Sequence, residues 1–117
     1  MDYIVIENIN IYAYHGVLPE EKTLGQEFLV NLELGLDLSS HIKDKIEAVA
    51  DYRQAVQFTE EIMSGKPCVL IETLACRIAD KLLTIAKVQA VKVEVCKPNP
   101  PIPSVRGGIK AVINRKK

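Results

Sequence analysis

Rings are scarce in this chain: tryptophan is absent, aromatic residues amount to 5%, and the histidines are two, His15 and His41. So few aromatics leave no stacking platform for bases. Neither histidine has a second His or a Cys at zinc-ligand spacing, so a catalytic metal has little support and no cofactor is expected. An excess of either charge is missing too. Fifteen Lys and Arg stand against fifteen Asp and Glu, and a chain without a general positive field is a poor binder of nucleic acid or of an anionic membrane. Cysteine is limited to Cys68, Cys76 and Cys96, an odd number with no Cys-x-x-Cys pair, which fits a reducing compartment better than a disulfide framework. No apolar run approaches the roughly 20 residues that span a bilayer, and Met1-Asp2-Tyr3 carries no basic segment ahead of an apolar one. A cytoplasmic protein without membrane or nucleic-acid partners is expected.

What is present is 48% hydrophobic and 26% charged over 117 residues. That is the make-up of one globular domain, 1–117, with a real core yet small enough for a partner subunit to matter. Tyr3-Ile4-Val5-Ile6 and Ile9-Asn10-Ile11-Tyr12-Ala13-Tyr14 read as one strand interrupted near Glu7-Asn8, or as two short ones, ended by His15-Gly16. Val17 to Gly25 reads as a loop with a charged middle, punctuated by Pro19 and Gly25. The clearest signal follows. Phe28, Val30, Leu32, Leu34, Leu36 and Leu38 share one parity while Glu27, Asn31, Glu33, Gly35 and Asp37 hold the other, with Leu29 the exception. So long an alternation belongs to an antiparallel sheet with one face under helices and one face wet. Ser39 to Ala48 is a polar connection with room for a short helical turn.

Asp51 followed by Gln54 resembles a capping box. It opens a helix with the apolar stripe Tyr52, Ala55, Val56, Thr59, Ile62 and Met63, stopped by Gly65 and Pro67. A second helix runs from about Leu70 to Ala86 and buries Ile71, Leu74, Ala75, Ile78, Leu82 and Ile85. No Ser, Thr, Asp or Asn stands before it, so its first N–H groups are left for a ligand, water or another subunit. Glu72 in its first turn complements the helix dipole. A strand from Val91 to Cys96 and a closing strand from about Gly108 to Asn114, with Ile109, Ala111 and Ile113 on one face, complete the order ββααββ. The fold class is α+β: a four-stranded antiparallel sheet with two helices on one face.

Lys97 shares the parity of Val91, Val93 and Val95, so it falls on the covered face where Pro98 ends the strand. Desolvation disfavours a charged amine, which suits such a lysine to passing a proton, and nearby carboxylates would oppose that tendency. Strand-end lysines otherwise snorkel to water. The loop behind it, Pro98-Asn99-Pro100-Pro101-Ile102-Pro103, supplies few backbone donors and favours stiff, extended backbone, a fixed wall beside a pocket or an interface.

His15-Gly16-Val17-Leu18-Pro19-Glu20-Glu21, Gly25-Gln26, Asp51-Tyr52, Leu70-Ile71-Glu72 and Lys97 to Pro103, in this order and over nearly the whole chain, together resemble the 7,8-dihydroneopterin aldolases of folate biosynthesis. The resemblance implies the tunnelling fold: several copies join their sheets edge to edge into a tetrameric ring, and two rings stack into a homo-octamer. The polar sheet face would line the barrel so formed, and active sites would lie between neighbouring subunits. It implies a pterin substrate, cleaved by retro-aldol chemistry to 6-hydroxymethyl-7,8-dihydropterin and glycolaldehyde. It also implies roles, residue by residue. Glu72 resembles the pterin anchor, with backbone contacts from Ile71 or Glu72; Glu21 resembles the acidic residue near the reacting side chain. Tyr52 is similar to the tyrosine supplied by the adjacent subunit, and Lys97 to the general acid/base. Without the resemblance, Tyr52 reads as a core tyrosine at a helix start and Glu21 as a solvated loop charge. His15 reads as structural, hydrogen-bonding the turn at Gly16, and the cysteines as packing residues.

Retro-aldol cleavage needs a sink for an electron pair, commonly a lysine imine or a metal-polarised carbonyl. The conjugated ring C=N of a dihydropterin serves once protonated, so neither is required. One departure from the family is visible. Ser104-Val105-Arg106-Gly107-Gly108-Ile109 stands where an acidic residue before Gly-Val is more common, which bears on the local turn and not on the pocket. Two other functions compete. One is epimerisation of dihydroneopterin or its triphosphate at the same carbon; the proline loop offers a triphosphate few basic or glycine N–H donors. The other is a non-catalytic pterin-binding ring protein.

Overall fold

In the computed structural model, which describes residues 1–39 and 43–117, four strands form one antiparallel sheet in sequence order. They are β1 (Asp2–Ala13), β2 (Gln26–Leu36), β3 (Ala90–Lys97) and β4 (Ile109–Lys116). Residues 40–42 of the Ser39 to Ala48 connection, His41 among them, lie outside the described residues; the end of that connection forms a 3-10 turn at Ile46–Ala48. The alternation in β2 is the reason the sheet has two unlike faces. Phe28, Val30, Leu32, Leu34 and Leu36 are all buried, paired to β1 through Ile4↔Leu34 and Ile11↔Phe28, and to β3 through Leu32↔Val93. Leu38 falls beyond the strand but still packs against the core. On the wet face, cross-strand pairs Glu33–Lys92 at 3.6 Å and Glu94–Lys110 at 3.1 Å take the place of apolar packing.

β1 is one strand, and the interruption read at Glu7-Asn8 is a bulge within it. The register slips between Ile6 and Ile9, Asn8 takes φ 55°, and its N–H donates to Asn31 Oδ1 at 2.8 Å. The irregularity reverses parity, so Ile4 and Ile6 before it and Ile9 and Ile11 after it all meet the core.

Two helices, α2 (Tyr52–Met63) and α3 (Ile71–Leu82), cover the apolar face, α2 against β1 and α3 against β3 and β4. Asp51 caps α2 by accepting the Arg53 N–H at 3.0 Å. The buried stripe of α2 advances in four-residue steps, Ala55, Thr59, Met63, and projects back onto Asp51 rather than Tyr52. Tyr52 is therefore exposed, and the reading of it as a core tyrosine is corrected. α3 stops at Leu82 instead of Ala86: Leu83 N–H still bonds Ala79, but Thr84 and Ile85 bond three residues back, a tightening that ends the helix while Ile85 stays buried. No helix among the described residues is long and apolar enough to cross a membrane.

The segment read as a loop after β1 contains a further short helix, α1 (Pro19–Leu24). Pro19 at its first position and Glu20 and Glu21 in its first turn favour a helix start. The Leu18 N–H is satisfied by Glu21 Oε2 at 3.3 Å, the backward half of a capping box. Gly25, at φ 70°, ends it by bonding Glu21 O.

Candidate active site

β3 delivers Lys97 to the helix-covered face at its last rung. The Lys97 side chain is 13% exposed and its Nζ lies 2.9 Å from Glu21 Oε1, on a side chain only 7% exposed. Glu21 is thus a buried counter-ion, and the reading of it as a solvated loop charge is corrected. Its other oxygen takes the Leu18 N–H, and the whole carboxylate lies over Gly16, where an added Cβ would come within 1.6 Å of Oε2. Gly16 also holds φ 150°, a backbone region that suits glycine. Burial pushes the Glu21 carboxyl up. The hydrogen bond from Lys97, the Leu18 N–H, the Lys97 charge and the Gln26 side chain together outweigh it, and hold the group below the usual glutamate value.

The wall behind this pair is set by backbone contacts. Gly108, at φ 82°, brings its Cα so close to Lys97 that a Cβ there would sit 2.9 Å from the Lys97 carbonyl oxygen. The turn at Gly107-Gly108 therefore closes against β3 despite the departure from the family pattern. Within the proline loop Ile102 N–H bonds Pro100 O at 2.8 Å and Val105 N–H bonds Ile102 O at 3.0 Å, two tight turns in succession.

His15 lies on the core side, 1% exposed. Its Nδ1 accepts the Cys68 N–H at 2.9 Å and its Nε2 donates to Met63 O at 2.7 Å, while Gly16 N–H bonds Cys68 O at 2.9 Å. The expected bond to the Gly16 turn is replaced by these longer-range ones. The alternation Ile11, Ala13, His15 was the available signal that this ring points inward. Cys68, held this way, leads within a few residues to the start of α3, where Leu70 offers no side-chain cap, Ile71 is buried, and Glu72 is exposed. Among the described residues the Glu72 carboxylate has no hydrogen-bond or ion-pair partner. Lys97, Glu21 and the start of α3 are therefore linked through Gly16 and Cys68. Tyr52 stands apart. It begins the helix whose last residue, Met63, is bound by His15, and eleven residues of α-helix span about 16 Å.

A model of the dihydroneopterin aldolase family matches residues 4–114. The chain belongs to the dihydroneopterin aldolase family. The dihydroneopterin aldolase of Bacillus subtilis is 41% identical over 119 residues, spanning 100% of this chain and 99% of that one. The activity is that of a dihydroneopterin aldolase, a lyase of folate biosynthesis, as the motifs implied. Among solved structures, a dihydroneopterin aldolase from Vibrio cholerae superposes with a TM-score of 0.91 at 25% identity, over 100% of this chain and 98% of that one. One from Burkholderia thailendensis, bound to guanine, gives 0.81 at 25% identity, over 99% and 91%.

Proposed function

We propose that the Lys97–Glu21 pair is the proton-handling centre of the aldolase reaction, acting on 7,8-dihydroneopterin, with Glu72 as the pterin anchor and Tyr52 contributed by a neighbouring subunit. The observation that carries this reading is the nearly buried ion pair at the end of β3. An ammonium held 2.9 Å from a carboxylate that stays ionised is a donor with its counter-charge already in place. Lys97 gives a proton to the ring nitrogen of the conjugated C=N while the side-chain hydroxyl passes its own to ordered water held by Tyr52. The carbon–carbon bond breaks, its electron pair enters the ring system, and glycolaldehyde leaves. The proton taken up from the side-chain hydroxyl is then delivered through water to the remaining carbon while the ring nitrogen returns its own to Lys97, which yields 6-hydroxymethyl-7,8-dihydropterin and restores the starting protonation with no imine on the protein.

Glu72 suits the anchor role because an unpaired carboxylate accepts two parallel hydrogen bonds from a ring amide N–H and an exocyclic amino group. Guanine, held by the Burkholderia relative, presents that same edge. The free N–H groups at the start of α3, around Ile71 and Glu72, offer further contacts. Tyr52 is exposed and about a helix length from Met63, which supports its service to a site on an adjacent copy. Ring closure through the sheet edges, into a tetramer and by stacking an octamer, would bring it there. Epimerisation at the same carbon uses the same groups by cleavage and re-addition, and is expected as a side activity.

The test separates chemistry from binding. Lys97→Ala is expected to lower turnover about 10²- to 10⁴-fold, the usual worth of general acid/base catalysis, while leaving the pterin dissociation constant near that of the wild type. Glu72→Ala should do the reverse and lose pterin affinity first. Glycolaldehyde and the epimer are assayed separately, with borohydride and chelator controls. Full turnover in Lys97→Ala removes the lysine from the mechanism, and a borohydride-trapped adduct replaces acid/base chemistry by an imine.

A further inference from the structure

The His15-Gly16 turn is hydrogen-bonded to Cys68, two residues ahead of the Leu70-Ile71-Glu72 motif, by contacts for which the cleavage chemistry itself has no use. We propose that His15 is a positioning residue for this reaction, setting the first turn of α3, and with it Glu72, against the Glu21–Lys97 pair. The proposal rests on the reading of Glu72 as the pterin anchor.

The imidazole is shielded from water, so its two nitrogens must be satisfied by protein. A backbone N–H can only donate, so Nδ1, which faces the Cys68 N–H, is bare; a carbonyl can only accept, so Nε2, which faces Met63 O, carries the hydrogen. One neutral tautomer fits both partners. Phe28 packs against the imidazole in a T-shaped contact, the ring centroids 5.5 Å apart. The two bonds grip both sides of the α2–α3 connection: Met63 is the last residue of α2, and Cys68 lies just ahead of Ile71, the first of α3. Gly16 N–H holds the Cys68 carbonyl as well, so both backbone polar groups of Cys68 are bound by adjacent residues of one turn. That turn also lies beneath the Glu21 carboxylate. The offset between Glu72 and the ion pair is thus transmitted through one residue, Cys68, ahead of a helix start that has no side-chain cap of its own.

Asn and Gln divide the two bonds of His15 between them. His15→Asn places an amide oxygen near Nδ1, so it still accepts the Cys68 N–H but falls short of Met63. His15→Gln reaches Met63 with its amide and vacates the Nδ1 position. A misplacement of 1 Å costs on the order of 10²-fold in rate. His15→Gln is therefore expected to lose about that factor in kcat with a far smaller change in KM for 7,8-dihydroneopterin, and His15→Asn to recover most of it. Rates are expressed per folded protein, measured by circular dichroism. Equal losses in both variants, or an unchanged kcat in His15→Gln, overturn the proposal. The wild-type protein supplies a readout that needs no variant: its imidazole 15N shifts should show the Nε2–H tautomer, and an Nδ1–H tautomer excludes the Cys68 bond and the proposal with it. Pterin binding by Glu72→Ala is measured in parallel. Unchanged affinity there defeats the anchor reading, whereas the Asn and Gln contrast reports on His15 by itself.

Discussion

Glu21 serves Lys97 and the Leu18 N–H with its two oxygens, and those partners, with the Gln26 side chain, set its ionisation against the effect of burial. A carboxyl whose pKa is depressed by folding adds stability above the ordinary glutamate value of 4.5 and gives it up as pH falls through the lowered one. The stability difference between wild type and Glu21→Gln, from urea unfolding at a series of pH values, should therefore be constant near neutrality and shrink only in acid below that ordinary value. A difference that closes near neutrality would mean that Lys97 does not hold this group ionised. Gly16→Ala tests the same corner sterically. Its Cβ would fall 1.6 Å from Glu21 Oε2 at a φ of 150°, so the carboxylate must swing off Lys97. Turnover should drop on the order of 10²-fold for a displacement of this kind, read as kcat beside a thermal melt. Neither contact was legible in the sequence, because the partner of Glu21 lies 76 positions away and nothing local marks a loop carboxylate as buried. Lys97 was legible, since its parity with three buried valines decides which face it joins.

Elements long enough to repeat their pattern announced themselves. β2 shows its buried face over five inward residues, and both of its neighbours in the sheet follow from it. Leu32, fully buried between β1 and β3, should cost about 2 to 5 kcal/mol when truncated to Ala. Glu33→Ala, one residue on and facing the half-exposed Lys92, should cost less than about 1 kcal/mol. Denaturant midpoints at equal m-values compare the two, and similar costs would mean that the faces are not as unlike as the alternation makes them. α1 escaped the same reading for a physical reason. Six residues make fewer than two turns, too short for a helical period, and its start is secured by a side chain reaching backwards, not by a polar N-cap. The bulge at Asn8 hid the continuity of β1 in the same way, by reversing parity in mid-strand.

At the scale of the whole molecule, β1 and β4 form the two edges of the sheet, each hydrogen-bonded to a neighbouring strand on one side only among the described residues. Long unpaired edges invite pairing with another chain, and closing a ring removes them. Tyr52, meanwhile, sits a helix length from the end of α2 that His15 binds. If the site is completed across copies, Lys97→Ala and Tyr52→Ala damage different members of each pair. Either variant alone should be nearly inactive. Unfolded together in equal amounts and refolded, they should form mixed rings in which about a quarter of the sites join an intact Lys97 to a neighbour's intact Tyr52. Turnover should return in that proportion, alongside a sizing profile unchanged from the wild type. A site built within one chain behaves otherwise: every chain in the mixture lacks one of the two residues, so mixing would restore nothing, and that result would return Tyr52 to an ordinary place on the surface of α2.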